Sequence, residues 1–203
     1  MNTYLTFPNL EEQTGENKFK WLSNQCESAG IDSKISSIID LGCGHGQNSI
    51  ALTHHFKNVY GIDPSSEMIS FATGLKEEAE KWYDLSGLSF QLGDFETIPF
   101  RDVDIICLIN SIHFSSKIHE DLVRILSHIR TGGLLYISEP GDKSKYGSGL
   151  MANEEELQKK RKVVIGVRRM LLIFLNFCNE ENKGKPIFFK HTPNSFSFIM
   201  QKI

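Results

Sequence analysis

Short apolar runs alternate with longer amphipathic stretches through the first 140 residues of the chain. The apolar runs predict β-strands, and the stretches whose apolar positions recur at helical spacing predict α-helices. Because the run "VDIICLIN" is almost wholly apolar, it suits a strand that is covered on both faces. The alternation therefore predicts a parallel sheet with helices on its faces. The predicted strands are 35–41, 58–63, 88–94, 103–110 and 134–140, and the predicted helices are 47–56, 66–83 and 118–130.

Two strand-like segments near the end of the sequence are separated by only a few turn residues, centred on Pro193 and Asn194. Such a short connection predicts a β-hairpin, in which the last two strands run antiparallel. Near the start, Phe19, Leu22 and Cys26 recur at helical spacing and predict a helix that packs on the sheet.

The chain is predicted to form one domain over 1–203, because its length suits a single hydrophobic core and no repeat or linker interrupts it. We divide this domain into three parts. These are an N-terminal helical segment (1–33), a core of alternating strands and helices (34–140), and a helix followed by the C-terminal β-hairpin (141–203).

The overall charge and the spacing of the cysteines argue against several classes of function. A net charge of -3 argues against a protein built around polyanion binding. The four cysteines stand far apart, without the paired spacing of a zinc site or a disulfide framework, so we predict no metal and a reducing, cytoplasmic location. The N-terminus does not resemble a secretory signal. The longest apolar run is far shorter than the ~20 residues that span a membrane, so we expect no membrane partner.

Three glycines, Gly42, Gly44 and Gly46, directly follow the first predicted strand and precede a predicted helix. Glycine permits a positive φ and a close approach of backbone to a ligand. The helix N-terminus beside it favours negative charge or accepting atoms. The GxGxG spacing differs from the GxGxxG of dinucleotide-binding proteins and from the phosphate loop of ATP-binding proteins, which argues against both classes.

This loop resembles the first motif of the class I S-adenosylmethionine-dependent methyltransferases, an acidic residue followed by GxGxG, here beginning at Asp40. The resemblance extends over about 38–140 and includes "VYGIDPSSEMISFA", "LSFQLGDFETIPF", "VDIICLINSIHF" and "LLYISEP" in the order of that family. It implies an α/β three-layer sandwich with a seven-stranded, mostly parallel sheet, a last strand that is antiparallel, and the strand order 3-2-1-4-5-7-6. It also implies S-adenosylmethionine as the cofactor and S-adenosylhomocysteine as the product.

The same resemblance implies cofactor contacts at the carboxyl ends of the strands, where open α/β sheets bind ligands. Asp63 would accept from both ribose hydroxyls as an unpaired carboxylate, or, in the alternative interpretation, would cap the helix that follows. Asp94 and the adjacent backbone of Phe95 would bind the adenine. The implied cofactor-binding residues are Asp40, Gly42, Cys43, Gly44, Gly46, Asp63, Pro64, Met68, Asp94, Phe95 and Asn110.

Two residues are candidates for contact with the methyl acceptor. His113, in "NSIHF", could act as a base or hold an acceptor oxygen, or it could simply wall off the adenosine. Glu139 could contact the acceptor, or it could be a capping or salt-bridged residue. If the sixth strand is parallel, His191 and Asn194 at the hairpin turn lie on the same edge. The segment lacks the NPPY-like and Pro-Cys signatures of methyltransferases that act on amino groups of adenine or glutamine, or on a pyrimidine ring.

A basic run, Lys159, Lys160, Arg161 and Lys162, lies within a predicted helix over 153–177. It is explained by a solvated helix face with ion pairs, or else by attraction of an anionic acceptor such as RNA. Because the chain has no room for an added nucleic-acid module, we predict methylation of a small-molecule acceptor on oxygen or nitrogen. The alternative enzymatic function is methylation of RNA or protein. A third alternative, outside the enzymes, is a protein that binds the cofactor but catalyses no reaction.

Overall fold

The computed structural model describes residues 19–140, 174, 176–178, 184–192 and 195–203. Several predictions concern residues outside these ranges. They are the start of the N-terminal helical segment, most of the predicted helix over 153–177 with its basic run, and the turn residues Pro193 and Asn194.

The described residues include four α-helices with defined bounds, one short 3₁₀ helix and seven strands. The α-helices are α1 (Lys20–Ser28), α2 (Gln47–Leu52), α3 (Ser66–Ala79) and α4 (Ile118–His128), and the 3₁₀ helix is Ile112–Phe114. The strands are β1 (Ser37–Leu41), β2 (Asn58–Asp63), β3 (Leu88–Leu92), β4 (Val103–Ile109), β5 (Ile129–Pro140), β6 (Gly184–Thr192) and β7 (Ser195–Lys202). Residues 174 and 176–178 are also helical.

The strands form one sheet in the order β3-β2-β1-β4-β5-β7-β6. Strands β1 to β5 run parallel to one another, and β7 is antiparallel to both β5 and β6. The sheet order and the antiparallel last strand are therefore confirmed. Among the described residues, no helix has the length and apolar character needed to cross a membrane.

The side chains of β1 and β4 alternate between two apolar layers, one on each face of the sheet. Ile38 and Ile105 enter the layer shared with α1, α2 and α3. Ile39 and Ile106 enter the other layer, which includes α4 and Phe174. Because both faces of the sheet are covered in this way, the architecture is the predicted three-layer sandwich.

The start of β5 differs from the prediction. Helix α4 ends at His128, and β5 begins at Ile129, five positions before the strand predicted from 134. Ile129 pairs with Val103, and the register then shifts before pairing resumes. Gly132, with φ +78°, lies at this irregularity. The sequence "TGG" therefore bulges the strand instead of separating it from the helix.

Strands β1, β2, β4 and β5 all end at one side of the sheet, which we call the carboxyl edge. The strand ends that flank the hairpin turn lie there too, because Ser195 of β7 is opposite both Thr192 of β6 and Pro140 at the end of β5. The predicted position of the hairpin is thus confirmed. His191 pairs with Phe196, which in turn pairs with Glu139, so His191 is on this edge but two strands away from Glu139.

Candidate active site

The glycine loop between β1 and α2 is tied to the end of β2 by its own backbone. Gly42 and Cys43 donate their N–H groups to the carbonyl oxygen of Ile62, at 2.7 and 3.0 Å. Gly44 has φ +53°, and a Cβ added to it would meet no atom within 4 Å. By contrast, a Cβ on Gly42 would lie 2.5 Å from the Cβ of Ser111, in the segment after β4. Gly44 therefore borders open space, whereas Gly42 packs tightly.

Asp63 is buried at the end of β2, with 8% of its surface exposed. Its Oδ2 accepts from the N–H of Gly44 and its Oδ1 from the N–H of Ser65, both at 2.9 Å. Asp63 therefore already accepts two backbone hydrogen bonds, and the ribose contact stays a prediction. The helix-capping alternative was wrong, because the Ser65 hydroxyl caps α3 by accepting from the N–H of Met68. A carboxylate has about four acceptor positions, so Asp63 retains capacity for ligand hydroxyls.

Two more residues of the first motif, Asp40 and Cys43, are buried. Asp40 is fully buried, and its Oδ2 accepts from the Ser49 hydroxyl of α2 at 2.7 Å. Burial, reinforced by the nearby carboxylates of Asp40 and Asp63, raises the pKa of the Cys43 thiol. The thiol therefore stays protonated at neutral pH. These contacts stabilise the turn from β1 into α2.

Asp94 forms a tight turn after β3. Its Oδ1 accepts from the Thr97 hydroxyl at 2.8 Å and from the N–H groups of Glu96 and Thr97 at 2.8 and 2.9 Å. The Thr97 hydroxyl above all, together with these amides, lowers the pKa of the Asp94 carboxyl. Its Oδ2 makes no hydrogen bond within the described part of the chain. Asp94 is therefore ionised, with one oxygen available to an amino group, and the adjacent Phe95 is partly buried against the core.

Three further residues that are predicted to bind the cofactor lie at the carboxyl edge. Pro64 is exposed and Met68 is half-buried in the first turn of α3. Asn110 directly follows β4 in the left-handed region, at φ +55°, and donates its N–H to the carbonyl of Ser138 at 2.7 Å. Asparagine tolerates this conformation better than most residues. It turns the chain sharply from β4 into the 3₁₀ helix.

The structure brings His113 and Glu139 together as a pair at the ends of β4 and β5. His113 Nδ1 lies 2.5 Å from Glu139 Oε2, and Glu139 Oε1 accepts from the N–H groups of Ser111 and Ile112, each at 3.0 Å. The Glu139 side chain is 5% exposed and that of His113 18% exposed. Both Glu139 oxygens therefore bind protein groups, which supports the capping and salt-bridged alternative for this residue.

A second anchor of the segment after β4 was not predicted from the sequence. Asp121 of α4 is buried, and its Oδ2 accepts from the Ser115 hydroxyl at 2.6 Å. Ser115 in turn accepts from the N–H of Lys117 at 3.0 Å. The only signal was a serine shortly before an acidic first helical turn, which is typical of many helix starts. Glu139 and Asp121 thus hold the segment that carries His113 from both ends.

Comparison with known proteins finds a family model and several relatives that this chain resembles. Residues 39–137 match the family model described as a methyltransferase domain. Among curated relatives, a protein of Saccharomyces cerevisiae named a probable S-adenosylmethionine-dependent methyltransferase is 35% identical over 80 residues, which are 38% of this chain and 27% of that protein. The fatty-acid O-methyltransferase of Mycolicibacterium smegmatis is 25% identical over 128 residues, which are 61% of this chain and 44% of that protein.

A solved structure shares the whole fold. The magnesium protoporphyrin IX methyltransferase of Synechocystis PCC 6803, with bound S-adenosylhomocysteine, superposes with a TM-score of 0.67 at 15% identity and covers 100% of this chain and 90% of that one. The chain spans less than half the length of the two curated relatives. The matched methyltransferase domain, the sheet order and the glycine loop together support a class I S-adenosylmethionine-dependent methyltransferase.

Proposed function

We propose that this protein transfers a methyl group from S-adenosylmethionine to a small-molecule acceptor, on oxygen or nitrogen. The observation that carries the proposal is the His113–Glu139 pair beside the glycine loop. The pair is joined to that loop through Ser111, whose N–H binds Glu139 and whose side chain packs on Gly42. An ionisable pair is thus held next to the predicted cofactor loop.

The residues at the carboxyl edge fit the cofactor. A Cβ on Gly44 would occupy open space, so the backbone there can be approached by a ligand. Asp63 retains acceptor capacity for ribose hydroxyls, and Asp94 Oδ2 is available to the adenine amino group. When bound, S-adenosylmethionine supplies an electrophilic methyl group, whose bond to sulfur breaks with the electron pair left on sulfur as the acceptor's lone pair bonds to the carbon.

The relative from Mycolicibacterium smegmatis supports a small acceptor, since its name gives a fatty acid as the molecule it methylates. The basic run that suggested RNA lies outside the described residues, and no described contact favours RNA or protein. Alignment of the acceptor with the methyl group can supply about 7–11 kcal/mol of the rate acceleration. The role of the protein is therefore mainly to bind and orient both molecules.

Two measurements test this proposal. Calorimetry with S-adenosylhomocysteine should show binding. Incubation with S-adenosylmethionine and a panel of phenols, alcohols, amines, carboxylic acids and total RNA should then release S-adenosylhomocysteine with a small molecule. Absence of binding would refute the cofactor proposal. Binding without release for every acceptor would favour a cofactor-binding protein, and release with RNA alone, falling steeply with added salt, would favour RNA methylation.

A further inference from the structure

We infer that Glu139 is a positioning residue that holds His113 in the tautomer with a proton on Nδ1, and that His113 Nε2 takes a proton from the methyl acceptor. This inference rests on the proposed function and deepens it, because it names the acceptor class. The acceptor is a hydroxyl or an ammonium group, which must lose a proton to be methylated, and not a carboxylate.

The orientation of the Glu139 carboxylate is fixed by two backbone groups. Its Oε1 accepts from the N–H groups of Ser111 and Ile112, each at 3.0 Å. A backbone N–H can only donate, so this oxygen carries no proton. The other oxygen, Oε2, therefore faces His113 Nδ1 at 2.5 Å, and Glu139 is 5% exposed.

The tautomer of His113 follows from this contact. Two backbone N–H groups already donate to the Glu139 carboxylate and favour its charged form, so the proton between Oε2 and Nδ1 belongs to Nδ1. A neutral imidazole with a proton on Nδ1 has its lone pair on Nε2. In the described part of the chain Nε2 makes no hydrogen bond, and the His113 side chain is 18% exposed. Nε2 is therefore unused by the described residues, in a side chain that is partly exposed at the carboxyl edge.

The proton balance of this step is simple. The O–H or N–H bond of the acceptor breaks, its electron pair stays on the acceptor atom, and the proton moves to Nε2. The resulting imidazolium keeps its Nδ1–H bond to Glu139, whose negative charge stabilises it. The proton is later released to solvent. A carboxylate acceptor is already ionised at neutral pH, so a base of this kind would serve no purpose for it.

The variant Glu139→Gln gives a sharp test because the two backbone amides dictate how the new side chain must lie. Its carbonyl oxygen has to take the position of Oε1 in order to accept from Ser111 and Ile112. Its NH₂ group then takes the position of Oε2 and can only donate. Nδ1 of His113 must accept from it, which moves the imidazole proton to Nε2. The substitution keeps size and both amide bonds yet inverts the tautomer.

The tautomer can be measured without any ligand. Two-bond ¹H–¹⁵N correlation spectra of protein labelled with ¹⁵N-histidine, recorded at alkaline pH, distinguish the two tautomers, and the signal lost in His113→Gln identifies His113. We expect a protonated Nδ1 in the wild type and a protonated Nε2 in Glu139→Gln. The control Asp121→Asn alters the other buried carboxylate of this segment and should leave the wild-type tautomer. A protonated Nε2 in the wild type, or an unchanged tautomer in Glu139→Gln, would overturn the inference.

The acceptor class is tested with S-adenosylmethionine and three probes: a phenol, a primary amine and decanoate. Glu139→Gln should lower turnover of the phenol or amine by about 10²- to 10⁴-fold, the range of general base catalysis, with affinity for S-adenosylhomocysteine unchanged. Turnover of decanoate alone, equal in both proteins, would overturn the acceptor class. Failure of the wild type to bind S-adenosylhomocysteine would instead refute the proposed function, and the tautomer measurement would still stand.

Discussion

Asp63 accepts a hydrogen bond from the backbone N–H of Gly44 at 2.9 Å, although the two residues lie 19 positions apart. The end of β2 and the glycine loop are therefore held as one unit. A ligand that binds the Asp63 carboxylate also contacts the group that fixes the backbone of Gly44. This relationship couples the predicted ribose site to the loop that faces open space.

The variant Asp63→Ala should weaken binding of S-adenosylhomocysteine. A charged acceptor contributes about 1.5–3 kcal/mol to its hydrogen bonds. At ~1.4 kcal/mol per factor of ten, the dissociation constant should rise roughly 10- to 100-fold in calorimetry. Asp84→Ala is a matched control, because Asp84 also accepts from an amide two residues on, that of Ser86, but lies before β3. Equal affinities for Asp63→Ala and the wild type would exclude a ribose contact.

Gly44→Ala should impair binding by a different route, since it adds a side chain where the ligand would lie. Gly30 provides a control with the same backbone strain: it has φ +81°, and an added Cβ would also meet no atom within 4 Å. Either alanine should cost about 1–2 kcal/mol of unfolding free energy, because both enter the left-handed region. Only Gly44→Ala should lose affinity in calorimetry. If Gly30→Ala lost as much affinity, reduced stability would explain both results.

Much of the fold could be predicted from local patterns. The apolar run of β4 identifies a strand buried on both faces, and the turn residues between β6 and β7 identify a hairpin. The start of β5 could not be predicted in this way, because "TGG" suits the end of a helix as well as a bulge. Pairing of Ile129 with Val103 decides between them. That pairing depends on the sheet, which a local pattern does not encode.

Contacts in the candidate site likewise could not be predicted from local sequence patterns. The order of the motifs identifies His113 and Glu139 separately, but their contact spans 26 positions. It arises because β4 and β5 are neighbours in a register that sets Ile109 opposite Ser138. The two bonds of Asp63 were missed for a related reason, since their donors are backbone amides. Any residue except proline can donate from its backbone, so side-chain identity gives almost no signal.

Asp104 should stabilise the opposite edge of the sheet in a pH-dependent way. Burial raises the pKa of its carboxyl, but bonds from Ser37 and Arg130 outweigh this and lower it below the usual 3.8. Because the folded pKa lies below the unfolded one, the stabilisation is complete above about pH 4 and is lost as the pH falls through the folded value. Asp104→Asn should cost about 1–3 kcal/mol at neutral pH.

Urea unfolding of Asp104→Asn and the wild type over a series of pH values checks this sign. The difference in unfolding free energy should be constant from neutral pH down to about pH 5 and should narrow below about pH 4. A control variant, Asp102→Asn, alters a nearby exposed carboxylate and should show little difference at any pH. A difference for Asp104→Asn that widened in acid would show that the carboxylate is not stabilised by its partners.

His113→Ala should separate a catalytic base from a residue that only walls the adenosine. Once a hydroxyl or amine acceptor is in hand, loss of the base should lower kcat about 10²- to 10⁴-fold, because the acceptor must then lose its proton to water. Affinity for S-adenosylhomocysteine, measured by calorimetry, should change little. Equal losses of affinity and rate would instead place His113 against the adenosine, and an unchanged kcat would exclude it as the base.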